Sequence, residues 1–215
     1  MILYWVLLLV TAVIAYLIGS LSTLVLASNF IFHKNLRRLG RGNLFISNFR
    51  RIYGLKGALL LLLVEVVKDV IPLIIGGVLL GIKDHADIGR AFAGFCLVLG
   101  RCWPVYYRFR GSGAVFCLAI SGIFQSAPLG IATLVFFALG IWLTKRLSLA
   151  TFIAGLGFAA FAVITVDGGI GLVLVELTAL LVLIKQIPAL VRIKQGREEK
   201  LNFKEDLSYK FEDKF

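Results

Sequence analysis

Apolar residues run along this chain in long uninterrupted stretches, separated by short polar breaks. Runs at residues 2–27, 58–82, 90–100, 114–125, 129–144, 149–166 and 170–185 stand out. About 20 apolar residues cross the hydrocarbon core of a bilayer as a helix. The third and fourth runs are short. Flanking the polar stretch 101–113, they read as tilted spans, as spans that start below the surface, or as one re-entrant pair. The pattern predicts an all-α integral membrane protein with about seven transmembrane helices and two basic loops, cytoplasmic or re-entrant, with five spans as the alternative.

Composition agrees with the pattern. Sixty per cent of the 215 residues are apolar and 16% are charged, whereas soluble domains average about half and a quarter. One polytopic membrane domain is expected over residues 1–187, followed by a charged cytoplasmic tail over 188–215 whose spaced Leu, Phe and Tyr suit a solvated or interface-lying helix. Residues 1–28 lack a basic leading segment and carry too long an apolar run for a cleaved signal, so a retained first span is expected. Cys96, Cys102 and Cys117 are odd in number and lack metal-type spacing, which argues against a disulfide framework.

Charge then orients the bundle. With seven spans, 20 of the 23 Lys and Arg residues fall on one side, only Lys83 and Arg90 on the other, and Lys68 within a span. The cytoplasmic side keeps the excess of cations, so the amino terminus is expected outside and the carboxyl terminus in the cytoplasm. The net charge of +11 is thus concentrated on one face, where it also attracts anionic headgroups. Nucleic acid binding calls for a basic patch with stacking aromatics on a soluble module, and no such module is present.

Two loops and one helix face carry the candidate chemistry. The first loop contains Gly40, Gly42, Asn43, Ser47, Asn48 and Arg51. Its glycines let backbone N–H groups turn inward, its small polar residues add neutral donors, and Arg51 can clamp an oxyanion with two parallel bonds. On its own such a loop is more often an ordinary basic linker that sets topology. The second loop places Arg101, Trp103, Tyr106, Tyr107, Arg108 and Arg110 before Gly111-Ser112-Gly113. Amides of Gly111 and Ser112 ahead of a helix favour an anion; the aromatics alone fit an interfacial belt.

Glu65, Lys68 and Asp69 stand at i, i+3 and i+4, on one face of the second span. Charges in hydrocarbon must face one another, a watery cavity or the bundle interior. They are either a staple between helices or part of a ligand site. His33 and His85 lie in loops on opposite faces, which leaves no His-based metal site or triad, and no cofactor is implied. Glu176, in the last span, is a second intramembrane charge with either role open.

The order of these motifs resembles the acyl-phosphate-dependent glycerol-3-phosphate acyltransferase (PlsY) family. Gly19-Ser20, then Leu39-Gly40-Arg41-Gly42-Asn43 with Ser47-Asn48 and Arg51, then Gly54, Glu65, Lys68 and Pro72, are similar to its first signature. Leu99-Gly100-Arg101-Cys102-Trp103-Pro104-Val105 with Phe109-Arg110-Gly111 resembles the second, and Arg146-Leu147-Ser148-Leu149-Ala150 the third. The resemblance implies a seven-helix membrane protein of phospholipid biosynthesis in the bacterial inner membrane. Such an enzyme passes an acyl group from acyl phosphate to glycerol 3-phosphate and makes lysophosphatidic acid at the cytoplasmic face.

The chain departs from the family at several positions. Arg41 replaces a serine, Arg101 a histidine and Gly113 the lysine expected to grip glycerol phosphate; Gln186 and Ala189 stand where histidine and asparagine are expected. The first phosphate loop therefore carries over better than the acceptor site. The resemblance implies that Gly40, Gly42, Asn43, Ser47, Asn48, Arg51, Lys68, Gly111 and Ser112 contact phosphate or substrate, and that Glu65 and Arg101 organise the site. No catalytic base is assigned, since the leaving phosphate can itself take the hydroxyl proton. The leading expectation is a divergent acyltransferase acting on acyl phosphate and glycerol 3-phosphate or another polar acceptor, among membrane lipids. The alternatives are an inactive relic that binds lipid or a membrane partner, and a small transporter or scramblase.

Overall fold

The structure, a computed structural model, describes residues 2–23, 25–26, 46–111 and 114–196, without the side chains of residues 46–55 and 58. Among the described residues the chain forms α1 (Ile2–Ser20), α2 (Ile46–Gly81), α3 (Ala86–Cys102), a 3-10 turn (Val105–Tyr107), α4 (Val115–Gln125), α5 (Ala127–Thr144), α6 (Leu147–Thr165) and α7 (Ile170–Lys194). The protein is an all-α integral membrane protein. Five of the helices are long and apolar enough to cross a bilayer. The other two differ for separate reasons: α4 has 11 residues, and α2 carries Glu65, Lys68 and Asp69 in its middle.

Two helices extend well beyond the apolar stretches that mark them in the sequence, whereas α1 ends at Ser20, short of the end of its run at residue 27. With 36 residues, α2 is roughly 54 Å long at 1.5 Å per residue, against a hydrocarbon core of about 30 Å. It begins at Ile46 rather than near residue 58, and α7 continues past residue 185 through Pro188 to Lys194. Hydropathy marks only the portion in hydrocarbon; the polar turns beyond it lack that signal.

Along α2 the apolar face is the outer one. Leu60, Leu63, Val67, Ile71, Ile74 and Val78 are exposed, while Leu61, Glu65, Asp69, Leu73 and Leu80 are buried. Both stripes follow helical periodicity. Lipid takes the leucines and valines, and the carboxylates turn to the protein interior, the only place where their charge can be compensated.

The interior is organised around α3, which packs against α1, α2, α4 and α7, while α5 and α6 pair beside α4 and α7. Leu97, Val98, Leu118, Phe158 and Val182 belong to the shared core. Four buried threonines are satisfied within their own helices: Thr11, Thr133, Thr151 and Thr178 each donate to the carbonyl four residues back. This is how a helix in lipid accommodates a polar side chain that has no water to meet.

α1 and α3 meet at unusually short range. A Cβ on Gly19 would collide with the Leu97 carbonyl, and one on Gly100 with the Tyr16 carbonyl. Small residues let the two backbones touch. Ser20 Oγ then donates to the Gly100 carbonyl at 3.4 Å and Tyr16 OH to the Trp103 carbonyl at 2.9 Å. The end of α1 is thereby locked beside the end of α3, where the second loop begins.

Candidate active site

Glu65 is the hub of a buried polar network. Its Oε1 accepts from Lys68 Nζ at 2.9 Å and pairs with Arg101 Nη2, and its Oε2 accepts from the backbone N–H of Thr23 at 3.3 Å. Lys68 Nζ also donates to the Leu21 carbonyl at 2.7 Å and lies 3.2 Å from Asp69 Oδ1. Asp69 Oδ2 in turn accepts from Cys117 Sγ at 3.0 Å. The run Arg101–Glu65–Lys68–Asp69–Cys117 thus joins α3, α2 and α4, with the chain just after α1 closing one side.

The charges in this run cancel. Two cations and two carboxylates, every one of them largely or wholly buried, leave no net charge to be stabilised by hydrocarbon. Desolvating each ion alone costs several kcal/mol, and paired geometry with extra hydrogen bonds offsets that cost. Lys68 is fully engaged by two hydrogen bonds and one ion pair.

Arg101 is only partly engaged. Its Nη1 is buried and has no hydrogen-bond partner among the described residues. Buried polar atoms are nearly always bonded, so a charged donor left free marks a place for a ligand or water. Arg101 also lines a cleft of about 200 Å³, open mouth included, together with Ser20, Ser22, Tyr107, Arg110 and Gly111. Hydroxyls, a guanidinium and backbone converge there in a manner suited to an oxyanion.

Local backbone geometry explains why the second loop returns to this cleft. Arg108 and Phe109 both adopt left-handed conformations, φ 53° and 59°, and Phe109 N–H bonds back to the Pro104 carbonyl at 3.0 Å. Gly111 then lies directly against the carbonyls of Arg101 and Cys102, where any Cβ would collide. Glycine is required at 111 by contact.

The residues singled out in the sequence are distributed as follows. Glu65, Lys68 and Arg101 come together in one network, and Gly111 joins Arg101 in the cleft. Ser47, Asn48 and Arg51 lie in the first turns of α2, with side chains outside the described set; Gly40, Gly42, Asn43 and Ser112 lie outside the described residues altogether. His85 packs edge-on to Tyr4 at 6.0 Å, whereas His33 lies outside the described residues. Glu176 keeps one buried oxygen without a partner. Sequence reasoning placed Asp69 on the correct face yet omitted it from the site, and it missed Ser20, Ser22, Cys117 and Arg110 as neighbours. Ser20 and Arg110 carried a signal, as parts of the first and second signatures; Ser22 and Cys117 carried none.

Relatives decide the family. The family model for glycerol-3-phosphate acyltransferase matches residues 9–196. The chain belongs to this family. It is 34% identical over 152 residues to the glycerol-3-phosphate acyltransferase of Pseudomonas fluorescens (strain Pf0-1), covering 70% of this chain and 76% of that protein. It is 31% identical over 193 residues to that of Macrococcus caseolyticus (strain JCSC5402), covering 89% and 95%. In fold it matches the crystal structure of PlsY (YgiH), an integral membrane glycerol 3-phosphate acyltransferase, in its glycerol 3-phosphate form, with a TM-score of 0.77, 22% identity and coverage of 94% of this chain and 98% of that one. Members of this acyltransferase family and the present chain thus share both sequence and helical architecture along nearly their whole lengths.

Proposed function

We propose that the protein transfers a fatty acyl group from acyl phosphate to the hydroxyl of glycerol 3-phosphate, giving lysophosphatidic acid, at the cytoplasmic face of a bacterial inner membrane. Family membership supports the reaction, and the one-sided distribution of Lys and Arg supports an amino terminus outside and a carboxyl terminus in the cytoplasm. The observation that carries the reading is Arg101, which lines the cleft beside Ser20, Arg110 and Gly111 and keeps one buried guanidinium nitrogen without a hydrogen-bond partner among the described residues.

In this reaction the acceptor hydroxyl oxygen attacks the carbonyl carbon of acyl phosphate. The carbonyl–phosphate C–O bond breaks, and inorganic phosphate leaves with the bonding pair and takes the hydroxyl proton. No side-chain base is needed. Catalysis then rests on positioning two phosphates and stabilising charge on the carbonyl oxygen. Gly40, Gly42, Asn43, Ser47, Asn48, Gly111 and Ser112 are assigned to phosphate oxygens, and Arg51 to acceptor charge. The geometry favours an exchange of two roles: Lys68, already engaged, organises the site with Glu65, and Arg101, with a donor to spare, contacts phosphate directly.

The test is turnover by the full-length protein reconstituted in vesicles with acyl phosphate and glycerol 3-phosphate. Inorganic phosphate and lysophosphatidic acid are expected to appear in equal amounts. Phosphate release independent of acceptor, or no release with any polar acceptor, would overturn the reading in favour of hydrolysis or of an inactive relic.

A further inference from the structure

Lys185 stands at the end of the last apolar run, on α7, with no carboxylate partner among the described residues. Its ammonium instead lies over the indole of Trp103, 5.2 Å from the ring centroid. A lysine at a span end reaches toward headgroups, pairs or serves a ligand, and a cation–π contact contributes only about 0.5–2 kcal/mol. That contact orients the ammonium without neutralising it.

Its position on α7 is inward. Val182, Gln186 and Ala189 are all buried, and with Lys185 they form the i, i+3, i+4, i+7 stripe of a helix face. α7 packs against α3. Lipid-facing neighbours such as Ile184 and Ile187 are exposed. Lys185 is therefore a half-buried residue of the interior stripe that stops at the end of α3, where Arg101 and Trp103 lie two positions apart.

The platform beneath Lys185 is fixed. Trp103 follows directly after α3, its carbonyl is held by Tyr16 OH at 2.9 Å, and its amide bonds to the Leu99 carbonyl at 2.9 Å. Pro104, the next residue, lines the cleft that Arg101 enters. The indole that braces the Lys185 ammonium thus belongs to the residue that precedes cleft-lining Pro104 in the chain.

Chemistry connects this placement to the departures in sequence. The second loop has Gly113 where the resemblance leads one to expect a lysine for glycerol phosphate, and the stripe of α7 has Gln186 and Ala189 in place of histidine and asparagine. A phosphate monoester dianion still needs cations, and the inner face of α7 supplies one that the resemblance does not include. We propose that Lys185 grips the phosphate group of the acceptor, substituting for the missing cation of the second loop. This rests on the reaction proposed above; binding is measured separately from turnover so that the two stand or fall apart.

The experiment uses full-length protein in detergent–lipid micelles and in vesicles, as wild type, Lys185→Gln and Lys185→Arg. Direct binding of glycerol 3-phosphate is measured first, then KM for glycerol 3-phosphate and for acyl phosphate. Loss of one charged phosphate contact is expected to weaken glycerol 3-phosphate binding and raise its KM by about 10- to 100-fold in Lys185→Gln. KM for acyl phosphate stays near wild type, and Lys185→Arg restores most of the affinity. A lysine that merely reaches toward headgroups predicts unchanged glycerol 3-phosphate affinity in Lys185→Gln, and that result overturns the proposal. An equal rise in both KM values, without rescue by arginine, overturns it as well, because it marks a packing defect. Wild-type binding that depends on Lys185 but leads to no acyl transfer would sustain the site and remove the proposed reaction; wild type that neither binds nor turns over removes both.

Discussion

Two clefts of similar size lie toward opposite ends of α3, and each contains an arginine. One, of about 200 Å³ with its open mouth included, holds Arg101; the other, of about 180 Å³ on the same terms, is lined by Arg90, Ser121, Gln125 and Thr178. Their electrostatics differ completely. The Arg101 and Glu65 side chains are 9% and 7% exposed, whereas those of Arg90 and its partner Asp87 are 36% and 84% exposed. Arg90 pairs within one turn of its own helix; Arg101 reaches across to α2 and through Glu65 to Lys68, Asp69 and Cys117. Cleft size and the presence of a cation do not distinguish a site here. Burial and partners on separate helices do; a donor left over does not, because Arg90 Nε and Gln125 Nε2 are also buried without a hydrogen-bond partner among the described residues.

Energetics sharpen that contrast. Removing one member of a buried pair leaves its partner uncompensated, at a cost of about 3–5 kcal/mol, while an exposed pair contributes about 0–1 kcal/mol. Glu65→Gln is expected to have the largest effect, a destabilisation of about 3–5 kcal/mol in equilibrium unfolding in detergent, because Arg101 and Lys68 then share only Asp69. A loss below 1 kcal/mol would make the network a loose surface-like cluster and break the comparison.

An intermediate effect is expected from Gly100→Ala. The added methyl meets the Tyr16 carbonyl and approaches the Ser20 nitrogen at 3.0 Å, so α1 and α3 must separate. Forcing a methyl into a packed interface costs about 1–3 kcal/mol, readable as a lower unfolding midpoint. Unchanged stability would mean that the two backbones are not in contact. Arg90→Gln, at the other end, is expected to change stability by less than about 1 kcal/mol and to leave acyl transfer intact; a loss of turnover would give the outer cleft a role equal to that of the inner one.

Much of the fold was legible because hydrocarbon imposes so simple a pattern. All seven runs correspond to helices, and the i, i+3, i+4 spacing of Glu65, Lys68 and Asp69 placed them on one inward face before any contact was known. Helix ends were less legible: residues 46–57 and 186–194 continue helices outside the apolar zone, where composition no longer reports geometry. Partners were not legible. Arg101 meets Glu65 across 36 residues and Cys117 meets Asp69 across 48, and nothing local in either segment encodes the match. The same holds for Gly19 and Gly100, whose meaning lies in the opposite helix. The second loop advertised Gly-Ser-Gly, whereas Gly111 proved decisive through its contact with two carbonyls.

The central claim is that Arg101, held by Glu65, offers its free nitrogen to a phosphate. It is tested most directly by the rise in unfolding temperature that glycerol 3-phosphate produces in the purified protein. Ligand at 100 times its dissociation constant adds about 2.7 kcal/mol of stability. The account predicts that wild type and Arg90→Gln show this shift and that Arg101→Gln, compared with its own ligand-free state, loses most of it. An undiminished shift in Arg101→Gln would contradict the account.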